Sequence, residues 1–136
     1  MGEFTVCLVP EAAMERMVVT AADFAPGVDE IAEAGLATLP SAKVKPPRIA
    51  ESPVAIECVL HQVVPIGHHT MVLGRAVAVH VADEAVLDAA RCYIDTPKLG
   101  LVGRMHGRGW YARTADQVEV KRITAAEWEA RKRGGV

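Results

Sequence analysis

Two alternating apolar runs hinged on Gly67-His68-His69 constrain this chain more than any other feature. Val54, Ile56, Cys58 and Leu60 recur at every second position, with Glu57 and His61 directed the other way. That is the period of a half-buried strand. After Pro65-Ile66-Gly67-His68-His69, the residues Met71, Leu73, Arg75, Val77, Val79 and Val81 put large side chains on one face, and Val72, Gly74, Ala76 and Ala78 put small ones on the other. The connection is short and contains glycine, so it predicts an antiparallel hairpin. Glycine inside a strand marks a close approach to the backbone. Gly74 and its alanines admit either a ligand or a packed neighbour, and the pattern alone does not choose.

The second informative stretch runs from Leu99 to Thr114, with glycines at 100, 103, 107 and 109, arginines at 104, 108 and 113, and no acid. Glycines let successive backbone N–H groups converge on an anion, and arginine adds planar, permanently charged forks. Trp110-Tyr111 follows directly, and flat side chains beside fixed cations suit a stacked heteroaromatic ligand. The chemistry implied is cofactor or anion binding rather than proton transfer. A basic, glycine-rich loop is also compatible with a plain solvated connection.

Composition sets the frame for these motifs. A chain of 136 residues that is 51% hydrophobic can bury one modest core, built mainly from aliphatic residues because Phe, Trp and Tyr occur only twice each. A net charge of −2 argues against general nucleic-acid binding, which needs an extended basic surface. Cys7, Cys58 and Cys92 are odd in number and contain no CxxC, so neither a disulfide framework nor a zinc ribbon is expected. Cys7 and Cys58 sit in apolar runs as buried thiols. The five histidines form no metal-ligand spacing, and no metal site is expected. No apolar run is long enough to span a bilayer, and the first residues do not read as a signal peptide, so the expectation is a cytoplasmic protein.

The remaining segments organise the domain. Pro10 opens a helix through about Val19 with Met14, Met17 and Val18 on one face. Lys43-Val44-Lys45-Pro46-Pro47-Arg48 reads as an extended linker, since proline biases the residue before it away from helix. Asp83 to Ala90 is expected to be a short helix or turn, and Val118 with Val120 a last short strand. Thr124-Ala125-Ala126-Glu127 forms a capping box opening a terminal helix through Arg133, with Trp128 as its apolar anchor.

Taken in order, these phrases resemble the flavin reductase-like, FMN-binding split-barrel family. The resemblance rests on Ser52-Pro53-Val54-Ala55-Ile56-Glu57-Cys58, on Gly67-His68-His69-Thr70, on Gly74-Arg75 through Val79-His80-Val81, and on Gly103-Arg104 through Trp110-Tyr111. Upstream, Gly2-Glu3-Phe4-Thr5-Val6-Cys7-Leu8-Val9 looks like the strand that follows the family's helix, with Cys7 where the family commonly has asparagine. Phe24 through Gly35-Leu36 looks like its loop near the flavin. The resemblance implies a mainly β fold with flanking helices, an antiparallel split β-barrel. In the family Gly-Glu-Phe lies mid-domain, so this chain is expected to correspond to the C-terminal portion of an incomplete barrel. Residues 1–123 form that partial barrel, and residues 124–136 a C-terminal helix and tail.

The resemblance also implies the chemistry. FMN is the expected cofactor and NAD(P)H the co-substrate, with reducing equivalents passed to free flavin or another acceptor. Arg104 and Tyr111 would hold the flavin, Phe24 and Asp29 would belong to a covering loop, and His69 would lie near the reacting ring as the catalytic-site residue, positioning rather than attacking. A homodimer with small-molecule partners is expected, with no nucleic acid and no membrane, and the unpaired edges of a partial barrel favour association. The alternatives are a non-catalytic split-barrel module that does not retain FMN, and a pyridoxamine-phosphate-oxidase-like or haem-binding split barrel.

Overall fold

The computed structural model describes residues 2–134. Its centre is a three-stranded antiparallel sheet in the order β1 (Glu3–Cys7), β4 (Val54–Ile66), β5 (His69–Val81). Between β1 and β4 the chain forms the helical turn Glu11–Ala13, α1 (Met14–Val19), α2 (Glu30–Glu33) and the strand pair β2 (Thr38–Leu39) and β3 (Arg48–Ile49). After β5 come two small antiparallel pairs, β6 (Val86–Asp88) with β7 (Tyr93–Ile94) and β8 (Val102–Arg104) with β9 (Tyr111–Arg113). The last element is α3 (Ala125–Gly134). The architecture is thus mainly antiparallel β with a few helices, as expected, and the strands close no barrel among the described residues.

The hairpin forms as its sequence dictates. Ile66 pairs with His69 across Gly67-His68, and Gly67 takes φ +60, the left-handed region that glycine enters without penalty. The alternation is not uninterrupted, however. The register slips between Glu57 and Cys58, leaving Val77 as the extra residue on β5, and slips back between Leu60 and Gln62, leaving His61 extra on β4. One bulge on each strand cancels the other and adds local twist.

Gly74 lies opposite Leu60, and the Phe4 ring reaches over from β1 against it. A methyl group at position 74 would collide with Phe4 Cζ and approach Cys58 Cβ to 3.0 Å. Of the two readings of this small residue, the packed neighbour is the one realised.

The apolar core gathers at one end of the sheet, where Val54, Ala85 and Leu99 meet Leu8, Ile56, Val81, Ile94 and Leu101. The far half of the hairpin has no such cover. Val63, Ile66, Met71, Val72 and Leu73 are all exposed, and β5 is an edge strand.

Three expectations are corrected. Val118 and Val120 form no strand and are 89% and 87% exposed, because the segment packs against nothing that would bury its valines. Asp83 to Ala90 contains a turn at Asp83–Ala85 but continues into β6, which finds a partner in β7. The capping box forms, with the Glu127 N–H donating to Thr124 Oγ1 and the Thr124 N–H to Glu127 Oε2. Trp128, however, anchors nothing: no residue of α3 is buried, and the Trp128 ring instead carries the Lys132 ammonium 5.7 Å from its centroid.

Candidate functional site

Two regions concentrate polar chemistry, the β8–β9 hairpin and the strap that precedes β4. In the hairpin, Arg104 closes the loop on itself. Its Nη1 donates to Tyr111 Oη at 3.1 Å, its Nη2 donates to the Gly107 carbonyl at 2.7 Å, and its guanidinium lies 5.3 Å from the Tyr111 ring centroid. Gly107, at φ +61, provides the reversal, and Trp110 stacks on His106 with centroids 6.1 Å apart. Trp110 is nonetheless 66% exposed. A methyl group added at Gly103 or Gly109 would meet nothing within 4 Å, so the backbone is open to a flat ligand there.

Beside the hairpin lies a cleft of about 440 Å³ lined by Met14, Val102, Trp110, Tyr111, Arg113 and Glu11, among others. Arg113 forks onto the Glu11 carboxylate with both contacts of its Nε at 2.8 Å. This hydrogen-bonded pairing holds the Glu11 carboxyl below its ordinary range and ties β9 to the first helical turn. Arg108 has no ion-pair partner among the described residues. Trp110, Tyr111 and the open Gly109 backbone give the cleft flat faces that fit a heteroaromatic ring, while Glu11, paired with Arg113, and Asp116 line its polar side.

The strap, Pro40 to Arg48, is not the solvated connection that its prolines left open. It crosses one face of the sheet and is tied to β1 and β4. Thr5 Oγ1 donates to the Pro46 carbonyl, the Lys45 N–H donates to Glu3 Oε2, and Val44 is buried. The central tie is Glu57, whose side chain is 0% exposed. Its two oxygens accept the N–H groups of Ala42 at 2.7 Å and Lys43 at 2.6 Å, and His80 Nε2 lies 2.5 Å from Oε1. Burial alone would push the Glu57 carboxyl up, but the Ala42 amide, the His80 ring and the Lys43 amide outweigh it and bring it down from 4.5 to about 2. An ionised carboxylate is acceptor-only, which assigns the proton of the shared bond to His80 Nε2.

The alternation around Glu57 marked it as facing away from the apolar side, and so it does, but the strap covers that face too. Sequence reasoning singled out neither Glu57 nor His80 as a site. The available signal was an acid in mid-strand with a histidine near the end of the strand that pairs with it.

Of the five residues expected at a site, the structure brings Arg104 and Tyr111 together. Phe24 lies in the loop before α2. Asp29 caps that helix, its Oδ1 accepting the Ile31 and Ala32 N–H groups at 3.1 and 3.2 Å. His69 stands exposed at the hairpin tip. No hydrogen bond joins Phe24, Asp29 or His69 to the Arg104–Tyr111 pair. Among the described residues no three His, Cys, Asp or Glu side chains cluster as metal ligands, and no helix is long and apolar enough to cross a membrane.

Residues 1–96 match the profile of the flavin reductase like domain. An uncharacterized protein of Deinococcus radiodurans is 42% identical over 128 residues, covering 94% of this chain and 56% of that protein. The 2-nitrobenzoate 2-nitroreductase NbaA of Pseudomonas fluorescens is similar in structure, with a TM-score of 0.81 at 31% identity, over 90% of this chain and 60% of that one. A protein with a split barrel domain from Shewanella frigidimarina shares the fold, with a TM-score of 0.77 at 21% identity over 90% of this chain and 62% of its own. The chain therefore spans less than two thirds of the length of each.

Proposed function

We propose, from the premise that this chain belongs to the flavin reductase like domain family, that it is a flavin-binding oxidoreductase unit. FMN is the proposed flavin and NADH or NADPH the proposed hydride donor, with a free flavin or another small acceptor as the oxidant. The single observation that carries this reading is the β8–β9 hairpin, where the Arg104–Tyr111 clamp sets exposed Trp110 and the open Gly109 backbone at one cleft. Bound flavin would supply the hydride-accepting ring, leaving the protein to bind, orient and exclude water.

In this reading Arg104 and Tyr111 hold the flavin, with Arg104 acting largely through the shape of its loop since two of its nitrogens already have internal acceptors. Phe24 and Asp29 belong to a covering loop whose form the Asp29 cap maintains, and His69 positions the nicotinamide or the ring. Residues 1–123 form the split-barrel unit and residues 124–136 an appended helix and tail. The proposed setting is cytoplasmic. A second copy of the chain is the proposed partner, covering apolar β5 residues that lie open on both faces of the ribbon. That likeness to NbaA makes a nitroaromatic one candidate acceptor.

FMN titration of the purified chain, followed by flavin fluorescence and size-exclusion chromatography, tests this reading. Saturable binding by a dimer is the expected result. Arg104→Ala is expected to weaken FMN binding about tenfold, in line with the loss of a charge-assisted contact network; unchanged affinity would remove that arginine from the site. His69→Ala is expected to slow NAD(P)H oxidation while leaving FMN affinity in place, and an equal loss in both would contradict a positioning role. The second reading, a dimerisation module without flavin, is favoured by the open β5 ribbon, and association without FMN binding would support it.

A further inference from the structure

We propose that the groove between Arg48 and His80, along the free edge of β5, binds a phosphate monoester group. The groove encloses about 450 Å³ and is lined by Arg48, Ser52, Pro53, Val79, His80 and Val81, among others. It shares no lining residue with the Trp110–Tyr111 cleft.

Arg48 is half-buried at the end of the strap, and its Nε donates to the Pro40 carbonyl at 3.3 Å, which holds the guanidinium in place. No carboxylate pairs with it among the described residues. The fork formed by its terminal nitrogens is therefore available to an oxyanion. The His80 side chain is 28% exposed and is oriented from behind by Glu57. The Glu57 charge is shared among three donors of its own, so it leaves Arg48 uncompensated.

The other groups near the groove do not compete for the anion. Ser52 Oγ is committed to the Leu8 and Val54 carbonyls, both at 2.7 Å. Asp83 and Glu84 lie on the turn beyond Ala82 and do not line the groove. The outer side of edge strand β5 adds unpaired main-chain groups. The guanidinium fork supplies the donors and, with the His80 proton held on Nε2 by Glu57, Nδ1 is left to accept from a phosphate P–OH, a donor that a carboxylate lacks.

Both a flavin mononucleotide and a 2′-phosphorylated nicotinamide nucleotide carry this group, so the test separates them. Inorganic phosphate is titrated into the full chain at constant ionic strength while the His80 imidazole is followed by NMR. The expected result is a saturable shift, weakened about tenfold or more by Arg48→Ala and partly restored by Arg48→Lys. No saturable shift in the unaltered chain, or equal affinity in Arg48→Ala, overturns the site. Affinities for FMN against riboflavin, and for NADPH against NADH, then identify the molecule: the Arg48→Ala loss falls on only the phosphorylated member of one pair. A loss shared equally by riboflavin and NADH would trace to a disturbed fold and overturn the assignment. Only the choice of these nucleotide pairs rests on the flavin reading. The inorganic phosphate arm stands even where FMN does not bind, so failure of either proposal is separately visible.

Discussion

Replacing Glu57 with glutamine is expected to lower the unfolding temperature by roughly 10 °C, because it breaks a buried network rather than a single contact. The Ala42 and Lys43 N–H groups each donate to one carboxylate oxygen, and His80 donates to Oε1 as well. A glutamine side chain offers only one oxygen and turns an NH₂ group toward a donor. One of the strap's amides is then left facing another donor, and the strap loosens from the sheet. Thermal unfolding by circular dichroism reads the change, and a shift of only a degree or two would show that the strap is held by Thr5 and Val44 instead.

The same residue sets a pH dependence whose sign follows from its ionisation. The folded carboxyl is depressed to about 2 from an ordinary 4.5. Its contribution is therefore fully present above about 4.5 and is lost as pH falls toward 2, where the unfolded chain binds a proton that the folded chain resists. Stability of the unaltered chain is expected to fall through that window, and the fall is expected to flatten in Glu57→Gln. Parallel curves for the two proteins would assign acid sensitivity elsewhere, with the Glu11–Arg113 and Glu51–Arg16 pairs as the next groups to examine, since each carboxyl is held low by the hydrogen bond from its arginine.

Gly74→Ala is expected to destabilise the domain by about 1–3 kcal/mol, the usual cost of forcing atoms into a packed site. The new methyl would overlap Phe4 Cζ and press on Cys58 Cβ at 3.0 Å, a contact that only a small shift relieves. The Phe4 ring is rigid and lies across two strands, so relief requires β1 to move or the ring to leave its place. Denaturant unfolding measures the loss, and the double variant Gly74→Ala with Phe4→Leu is expected to recover part of it by removing the far edge of the ring. Additive effects in that pair would show that the two positions do not touch.

Much of the fold was legible because the hairpin carries its own ruler. Counting outward from the Gly67-His68 turn pairs Ile66 with His69 and Val54 with Val81, and both pairs are realised. The same count places Glu57 opposite Ala78 and Ala55 opposite His80, so the Glu57–His80 diagonal was in principle readable. The two bulges were not, since neither Val77 nor His61 is a glycine or proline that would mark one, but they cancel and leave that diagonal intact. The capping box was legible for the same local reason, being four consecutive residues whose bonds are made among themselves. Arg104 and Tyr111 were legible as a pair of residue types, although not that the arginine would spend two nitrogens within its own loop.

The sequence by itself determined the elements whose partners lie within a few residues: the hairpin, its turn, the first helix and the terminal cap. Period, glycine placement and capping chemistry act locally, so they need no knowledge of the rest of the chain. Tertiary structure alone decided what covers each face. The strap from Pro40 to Arg48 turned a strand's outward acid into a buried, ionised anchor, because Ala42 and Lys43 arrive from more than ten residues away with amides that its two oxygens accept. Phe4 came from β1, on the far side of β4, to occupy the space above Gly74. Val118, Val120 and Trp128 stayed in solvent despite apolar side chains, since burial needs a partner surface and none is presented to them among the described residues.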